Sequence, residues 1–306
     1  MNTKLMAKLA GVCVSAAAVA APAHAFEGSV APYPAGANGS EIASMPPIPG
    51  LFVMQQFNYS FANGLYGNDG QKLPIPFHTS VFSSTTRLLA AYPVTVLGAN
   101  LYSQLVIPVV SLHTDVQGYR STQNGLSNIT VTPVLLRWSV NNLLIATGVD
   151  LTLPTGSYSP TRSSSVAVGY LSVQPVLSFR YSLPDGIDLG ISNRLLLNQK
   201  NSDTNYQSGN GYTAEFIAGW RFGKFEFGVV GNYLNQFSDD KVNGVAVNGN
   251  GNRMRSFALG PSIDFQAGPV NINLNYQHGL YAVNTSKSHN VWLNVAIPLW
   301  VLGGGK

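Results

Sequence analysis

The chain has 306 residues, 45% hydrophobic and only 10% charged, with a formal net charge of +4. Lys4 and Lys8 fall in an expected leader; without them 15 basic residues face 13 acidic ones, a net charge of 15 − 13, or about +2, and no Lys/Arg run or basic stripe invites nucleic acid. The single cysteine, Cys13, lies in the same leader, which excludes disulfides and thiolate metal sites from the mature chain, and no apolar run after residue 25 approaches a spanning helix.

In chain order, Lys4 and Lys8 precede an apolar stretch from Leu9 to Ala21, then Pro22 and Ala23-His24-Ala25 ahead of Phe26. This predicts a Sec-type signal over residues 1–25 with an A-x-A cleavage site. Val12 stands where a lipoprotein signal wants a small residue, so Cys13 is not read as a lipid attachment point. Residues 26–50 are rich in Pro, Ala and Gly and have no period, which leaves two readings: a flexible periplasmic leader, or a plug threaded into a barrel lumen. Tyr33, Pro34, Met45, Pro46 and Pro47 are the candidate plug positions.

From 51 to 300 strand-like runs follow one another: Leu51 to Phe61, Thr79 to Ala91, Thr95 to Ser111, Ser127 to Ser139, runs through Ile145 to Leu153 and Leu171 to Tyr181, Ile187 to Gln199, Gly211 to Arg221, Lys224 to Phe237, Met254 to Gln266, Val270 to Gln277, and His289 to Trp300. Tight turns are expected at Tyr92-Pro93-Val94, Val140-Asn141-Asn142, Pro184-Asp185-Gly186, Phe222-Gly223-Lys224 and Ala267-Gly268-Pro269. They alternate with long polar loops at Ala62 to Ile75, Leu112 to Gly125, Thr155 to Ser165, Lys200 to Asn210, Ser238 to Arg253 and Tyr281 to Ser288. Short periplasmic turns, long extracellular loops and an even strand number define an outer-membrane barrel. The expectation is an all-β, transmembrane, antiparallel up-and-down β-barrel of about twelve strands, with both termini in the periplasm and a short tail at 301–306.

Facing is clearest in the run Val270 to Gln277. Val270, Ile272, Leu274 and Tyr276 share one side, and Asn271, Asn273, Asn275 and Gln277 the other. Ile145, Val149 and Leu151 likewise oppose Ala146, Gly148, Asp150 and Thr152, and Leu177, Phe179 and Tyr181 oppose Ser178 and Arg180. A soluble sandwich would show the same alternation with the apolar side inside. Two features favour a membrane: strand lengths near the span of a tilted bilayer crossing, and aromatics beside the tight turns at Tyr92, Trp138, Tyr181, Trp220, Phe222, Phe225 and Trp300. Pro108, Pro133, Pro175, Pro261 and Pro298 fall inside runs and are expected at bulges or breaks.

With these segments laid out, the chain resembles a family of Gram-negative proteins associated with the meta-pathway of phenol degradation, which includes sphingosine-induced outer-membrane proteins. The resemblance is carried by Tyr33-Pro34-x-Gly36, Pro46-Pro47-x-Pro49-Gly50-Leu51, Asn68-Asp69-Gly70, Gly125 to Thr130 with Pro133 and Trp138, and Pro154 to Tyr158. Ser208-Gly209, Gly219-Trp220, Gly260-Pro261-Ser262 and Trp292-Leu293 to Ile297-Pro298 follow in order. The resemblance implies an outer-membrane channel for passive uptake of small hydrophobic or aromatic compounds, with no catalytic residue. Family members end near an aromatic, whereas here Val301 to Lys306 follow Trp300.

The candidate site is the lumen. Asp150, Arg180, Arg194, Glu215, Arg221, Glu226 and Asp264 fall inside runs, where a lipid-facing charge is costly, so they are expected to point inward. A general narrow porin or structural barrel is one alternative. An outer-membrane lipid hydrolase or deacylase is another, since His78-Thr79-Ser80 puts a base and a nucleophile on one strand face, though no acidic orienter is evident nearby. His113, His278 and His289 are scattered at strand and loop edges, and Asp239, Asp240, Asn243, Asn248, Asn250 and Asn252 lack the spacing of a calcium loop. No cofactor or metal is expected. The expected partners are outer-membrane lipids and lipopolysaccharide, the barrel assembly machinery and the small substrate.

Overall fold

The computed structural model describes residues 25–162 and 164–303, so the expected signal lies outside the described residues except for Ala25. Twelve antiparallel strands follow in meander order: β1 (Gly50–Ala62), β2 (Phe77–Val96), β3 (Ala99–Val116), β4 (Thr130–Val140), β5 (Leu143–Thr152), β6 (Ser172–Ser182), β7 (Gly186–Asn198), β8 (Gly211–Phe222), β9 (Phe225–Gln236), β10 (Arg255–Ala267), β11 (Val270–Val283) and β12 (His289–Val301). A further piece, Tyr119–Leu126, continues the β4 ladder along the outer half of β3 after a break at 127–129. The sheet closes where β1 pairs with β12, from Gly50 opposite Val301 to Phe61 opposite His289. Closure leaves the twelve strands no edge apart from the outer extension at Tyr119–Leu126, so the backbone groups of the ladder find their partners without water, as a barrel in lipid requires.

The barrel is apolar outside and polar within. Phe222 is 74% exposed and Trp300 58%, while Asn273 is fully buried and Gln277 nearly so. On β11, Leu274 stands outward between buried Asn273 and Asn275, and on β6 Leu177, Phe179 and Tyr181 alternate with buried Ser178 and Arg180. A soluble sandwich would bury the opposite set, so this polarity decides for the membrane barrel.

Two connections and the position of the N-terminus differ from expectation. Tyr92-Pro93-Val94 is not a turn: β2 and β3 run on to a two-residue turn at Leu97-Gly98, and the ladder is irregular between Ala91 and Thr95, where Pro93 has no N–H to give. Leu97 and Gly98 have φ of 51° and 77°, the left-handed pair of a two-residue hairpin turn. Similarly, Leu112 to Gly125 is no loop but two paired strands joined at Gln117-Gly118, with φ of 54° and 86°. In this hairpin Arg120 and Thr122 are exposed on the outward face, while Gln123 is buried on the inner one, so polar residues stand where a lipid-facing strand would be apolar and the composition imitates a loop. Thirdly, only the strand termini β1 and β12 meet at the tight-turn end. The described N-terminus lies at the opposite end, where the Ala25 N–H donates to the Asn284 carbonyl in the outer β11–β12 loop at 3.4 Å.

The prolines behave individually. Pro133 sits in a register shift between Val131 and Leu135, and Pro298 beside one between Leu51 and Phe52. Pro175 and Pro261 leave the facing on either side unchanged. The facing changes at Pro133: Thr132 before it and Arg137 after it both point inward although they are five residues apart.

Candidate functional site: the lumen and its threaded segment

Residues 25–49 run inside the barrel from the outer loops to the periplasmic mouth. At the outer end the Phe26 N–H donates to Asp240 Oδ2 at 2.8 Å, and the Glu27 carboxylate accepts from Tyr158 Oη and Asn201 Nδ2, both at 2.8 Å. At mid-depth Glu215 of β8 accepts from Tyr33 Oη at 2.7 Å and from the Gly36 N–H and Asn38 Nδ2 at 2.5 Å each, a charge-assisted clamp on one turn of the segment. Ser40 Oγ donates to Asp264 Oδ1 at 2.6 Å. Toward the periplasm Arg180 donates to the Ser40 carbonyl at 2.7 Å and to Ser44 Oγ, Arg137 donates to the Met45 carbonyl, and Tyr102 Oη donates to the Pro46 carbonyl at 2.8 Å. Gly36, at φ 99°, has no room for a Cβ against Gln277 and Asn232, so glycine lets the segment lie directly on the wall.

All seven charged candidates point inward, and the structure brings six of them into two groups and a clamp. Arg180 makes a two-pronged pair with Asp188 at 2.8 and 2.9 Å and reaches Glu226 at 3.3 Å, while Arg221 approaches Asp188 at 2.7 Å and Glu226 at 3.0 Å. Arg194 pairs with Asp150 at 2.5 Å, donates to Gln174 Oε1 at 2.8 Å, and lays its guanidinium 4.0 Å over the Tyr33 ring. Glu215 forms the clamp, and Asp264 stands apart, bound to Ser40 and to Asn273 Nδ2 at 2.9 Å. Of the candidate plug residues, Tyr33, Met45 and Pro46 meet the wall directly, the last two through their carbonyls. Pro34 accepts the Ala37 N–H in a turn, and Pro47 lines the cavity described next.

Sequence reasoning missed Asp188, Arg87 and Arg137. Each lies inside a strand, so the same cost argument that selected the other seven would have found them. Glu27 and Asp240 carry no such signal, being in the leader and a loop. In those loops Asp240 is pushed up from the ordinary carboxylate range by burial, and burial also raises Tyr206 and Tyr170.

The segment does not fill the barrel. A cavity of about 610 Å³ extends from mid-depth to the tight-turn end, lined by Ile42, Met45, Phe52, Leu89, Leu135 and Ile297 together with Arg87, Arg194 and Asp150.

The other motifs gather no chemistry. His78 Nδ1 is 2.7 Å from Asn63 Oδ1, and no hydrogen bond joins it to Ser80 among the described residues. His113 lies within β3 rather than at its edge, 2.6 Å from Thr122 Oγ1, and His278 faces His289 at 3.0 Å with Tyr276 Oη 2.8 Å from His289. Asp239 is paired with Arg253, and both oxygens of Asp240 accept hydrogen bonds, so the acidic pair does not converge on a cation.

A closed twelve-stranded barrel with an apolar belt, a charged interior and a threaded N-terminal segment defines the class of outer-membrane β-barrels. The chain belongs to the family described as "Putative MetA-pathway of phenol degradation", whose model matches residues 62–295. Among solved structures it is similar to the COG4313 outer membrane channel from Pseudomonas putida F1, at 15% identity and a TM-score of 0.74, covering 83% of this chain and 96% of that one. Weaker likenesses include the transport unit of the autotransporter AIDA-I from Escherichia coli, at 13% identity and a TM-score of 0.48 over 87% and 100% of the two chains. A Pseudomonas aeruginosa FadL homologue gives 8% identity and a TM-score of 0.43 over 91% and 96%. No curated protein sequence matches the chain.

Proposed function

We propose that this protein is a non-enzymatic channel of the Gram-negative outer membrane through which small hydrophobic or aromatic molecules pass passively. The observation that supports this reading best is the cavity beneath the threaded segment. Its Ile42, Met45, Phe52, Leu89, Leu135 and Ile297 offer apolar contact to a small molecule inside an otherwise polar lumen. The outward apolar face meets lipid and lipopolysaccharide, and the assembly machinery handles the barrel through its closing strand. The P. putida relative is itself an outer membrane channel, which favours a passage role, and the family's description concerns phenol degradation, which favours the aromatic substrate class.

A deletion strain and its complemented parent, compared for uptake over aromatic acids, alkanes, fatty acids and sugars, test this reading. Loss of aromatic or alkane uptake alone supports it. Loss of sugar uptake to the same extent would make the protein a general narrow porin, a reading that the balanced charges of the lumen wall favour.

A further inference from the structure

We propose that signal cleavage creates a ligand: the free α-ammonium of Phe26 is the built-in cation for the buried carboxylate of Asp240, and this pair seals the outer end of the lumen. The inference stands independently of what the channel carries.

Asp240 is wholly buried, and its four partners in the uncleaved chain are all neutral groups. Oδ1 accepts from the Gly209 N–H at 2.6 Å and Gln236 Nε2 at 2.7 Å; Oδ2 accepts from Tyr206 Oη and the Phe26 nitrogen, both at 2.8 Å. No Lys, Arg or His pairs with it among the described residues. Glu27, also buried, stands beside it with Tyr158, Thr204 and Asn201 as partners and has no cation partner among the described residues. Two buried carboxylates without a counter-charge are expensive unless a cation reaches them.

The A-x-A signature ends at Ala25, so a signal peptidase would hydrolyse the Ala25–Phe26 bond. Water adds across the amide: the hydroxyl goes to Ala25, leaving a carboxylate, and the nitrogen of Phe26 becomes an amine that takes up a proton. The missing charge thus appears on the atom already 2.8 Å from Asp240.

Backbone geometry points the same way. Phe26 has φ 59° and ψ 150°, a conformation that a bulky residue in mid-chain adopts only under strain. In a first residue no preceding carbonyl exists, and the strain vanishes with the peptide bond. The ring is anchored as a terminus should be, buried against Leu196, Leu234 and Met254 on the inner wall. Gly209 completes the seat, since a Cβ there would run into Ser238 and Gln236.

The test uses the purified, folded protein. The N-terminal peptide is identified by mass spectrometry, and acylation of its α-amine is followed against pH in folded and heat-unfolded samples. The expected result is a Phe26 terminus whose amine loses its proton at least one unit, about tenfold in proton activity, above the ordinary 7.7–8.0 of an α-amino group, because the carboxylate holds the ammonium form. Simple burial would move it the other way. Asp240→Asn, checked for folding by heat-modifiable migration, should return the profile to the unfolded one. So should a Gly-Ser insertion after Ala25, which displaces the new terminus from the seat. A mature terminus other than Phe26, a folded profile at or below the ordinary range, or protection that persists in the inserted chain would overturn the proposal.

Discussion

The outer and inner halves of the lumen hold the same threaded segment in opposite ways. At the outer end Phe26 and Glu27 are held by the loops bearing Tyr158, Asn201, Tyr206, Ser208 and Asp240, and both are buried. Toward the periplasm the segment is held on one flank by Arg180, Arg137 and Tyr102, which grip its carbonyls, while its other flank borders the 610 Å³ cavity. If the protein is a channel as proposed, the outer half is where passage should be resisted and the inner half, with its cavity, is where a small molecule has room.

The largest effect is expected from removing the segment. Deleting Phe26 to Met45 takes away no strand and no ladder hydrogen bond, so the barrel should assemble and its single-channel conductance should rise several-fold. A barrel of this size leaves room for little more than one peptide. Unchanged conductance in a correctly assembled deletion would mean that the outer half is not the barrier.

Next comes the ion network that supports the inner half. Asp188, with no exposed side-chain surface, serves both Arg180 and Arg221. Asp188→Asn leaves two guanidinium groups to share Glu226, and losing one partner of a buried network costs about 3–5 kcal/mol. The measurement is the denaturant midpoint for loss of heat-modifiable migration, with tolerance of the change counting against a structural role for the pair.

How far the lumen could be read in advance depended on depth. Across the membrane band alternation is enforced on both sides, by lipid and by the packed interior, so β11 and β6 declare their facing residue by residue. Beyond the band the outward face meets water as well. Tyr119–Leu126 therefore carries Arg120 and Thr122 where a transmembrane strand would carry Leu or Phe, and it passed for a loop. The seven inward charges were legible from the cost of a charge in lipid. Their pairing was not, because Arg180 and Glu226 meet across three strand boundaries and only the closed sheet fixes that distance. The course of residues 25–49 left only the indirect mark of an aperiodic stretch studded with Gly and Pro.

Depth also sets the size of the next effect. Leu274→Arg on the lipid face toward the middle of β11 should cost about 2–4 kcal/mol, while Asn271→Arg on the same strand opens into the cavity and should assemble normally. Asn273, although it shares that inward face, is a poor control: it is fully buried, bonded to Ser262 and Asp264, and lies beneath Gly39 of the segment. Equal loss of assembly in Leu274→Arg and Asn271→Arg would remove the distinction between lipid and lumen on this strand.

The smallest effect sharpens the comparison at the outer end itself, between two adjacent residues of one loop. Asp239 pairs with Arg253 at 2.6 Å, but the arginine side chain is 52% exposed, so water competes for both groups and Arg253→Ala should change stability by less than about 1 kcal/mol. Asp240, next in the chain, is wholly buried and ties together Gly209, Gln236, Tyr206 and Phe26, so Asp240→Ala should open the outer half and raise conductance while Arg253→Ala leaves conductance at the parent value. The contrast does not rest on charge, since both positions are aspartates. It rests on what surrounds the carboxylate: a solvated rim in one case, the end of a threaded chain in the other. If single-channel recordings of the two variants coincide, the outer loops are a cover that moves as a whole, and the seat around Phe26 is not what holds the lumen closed.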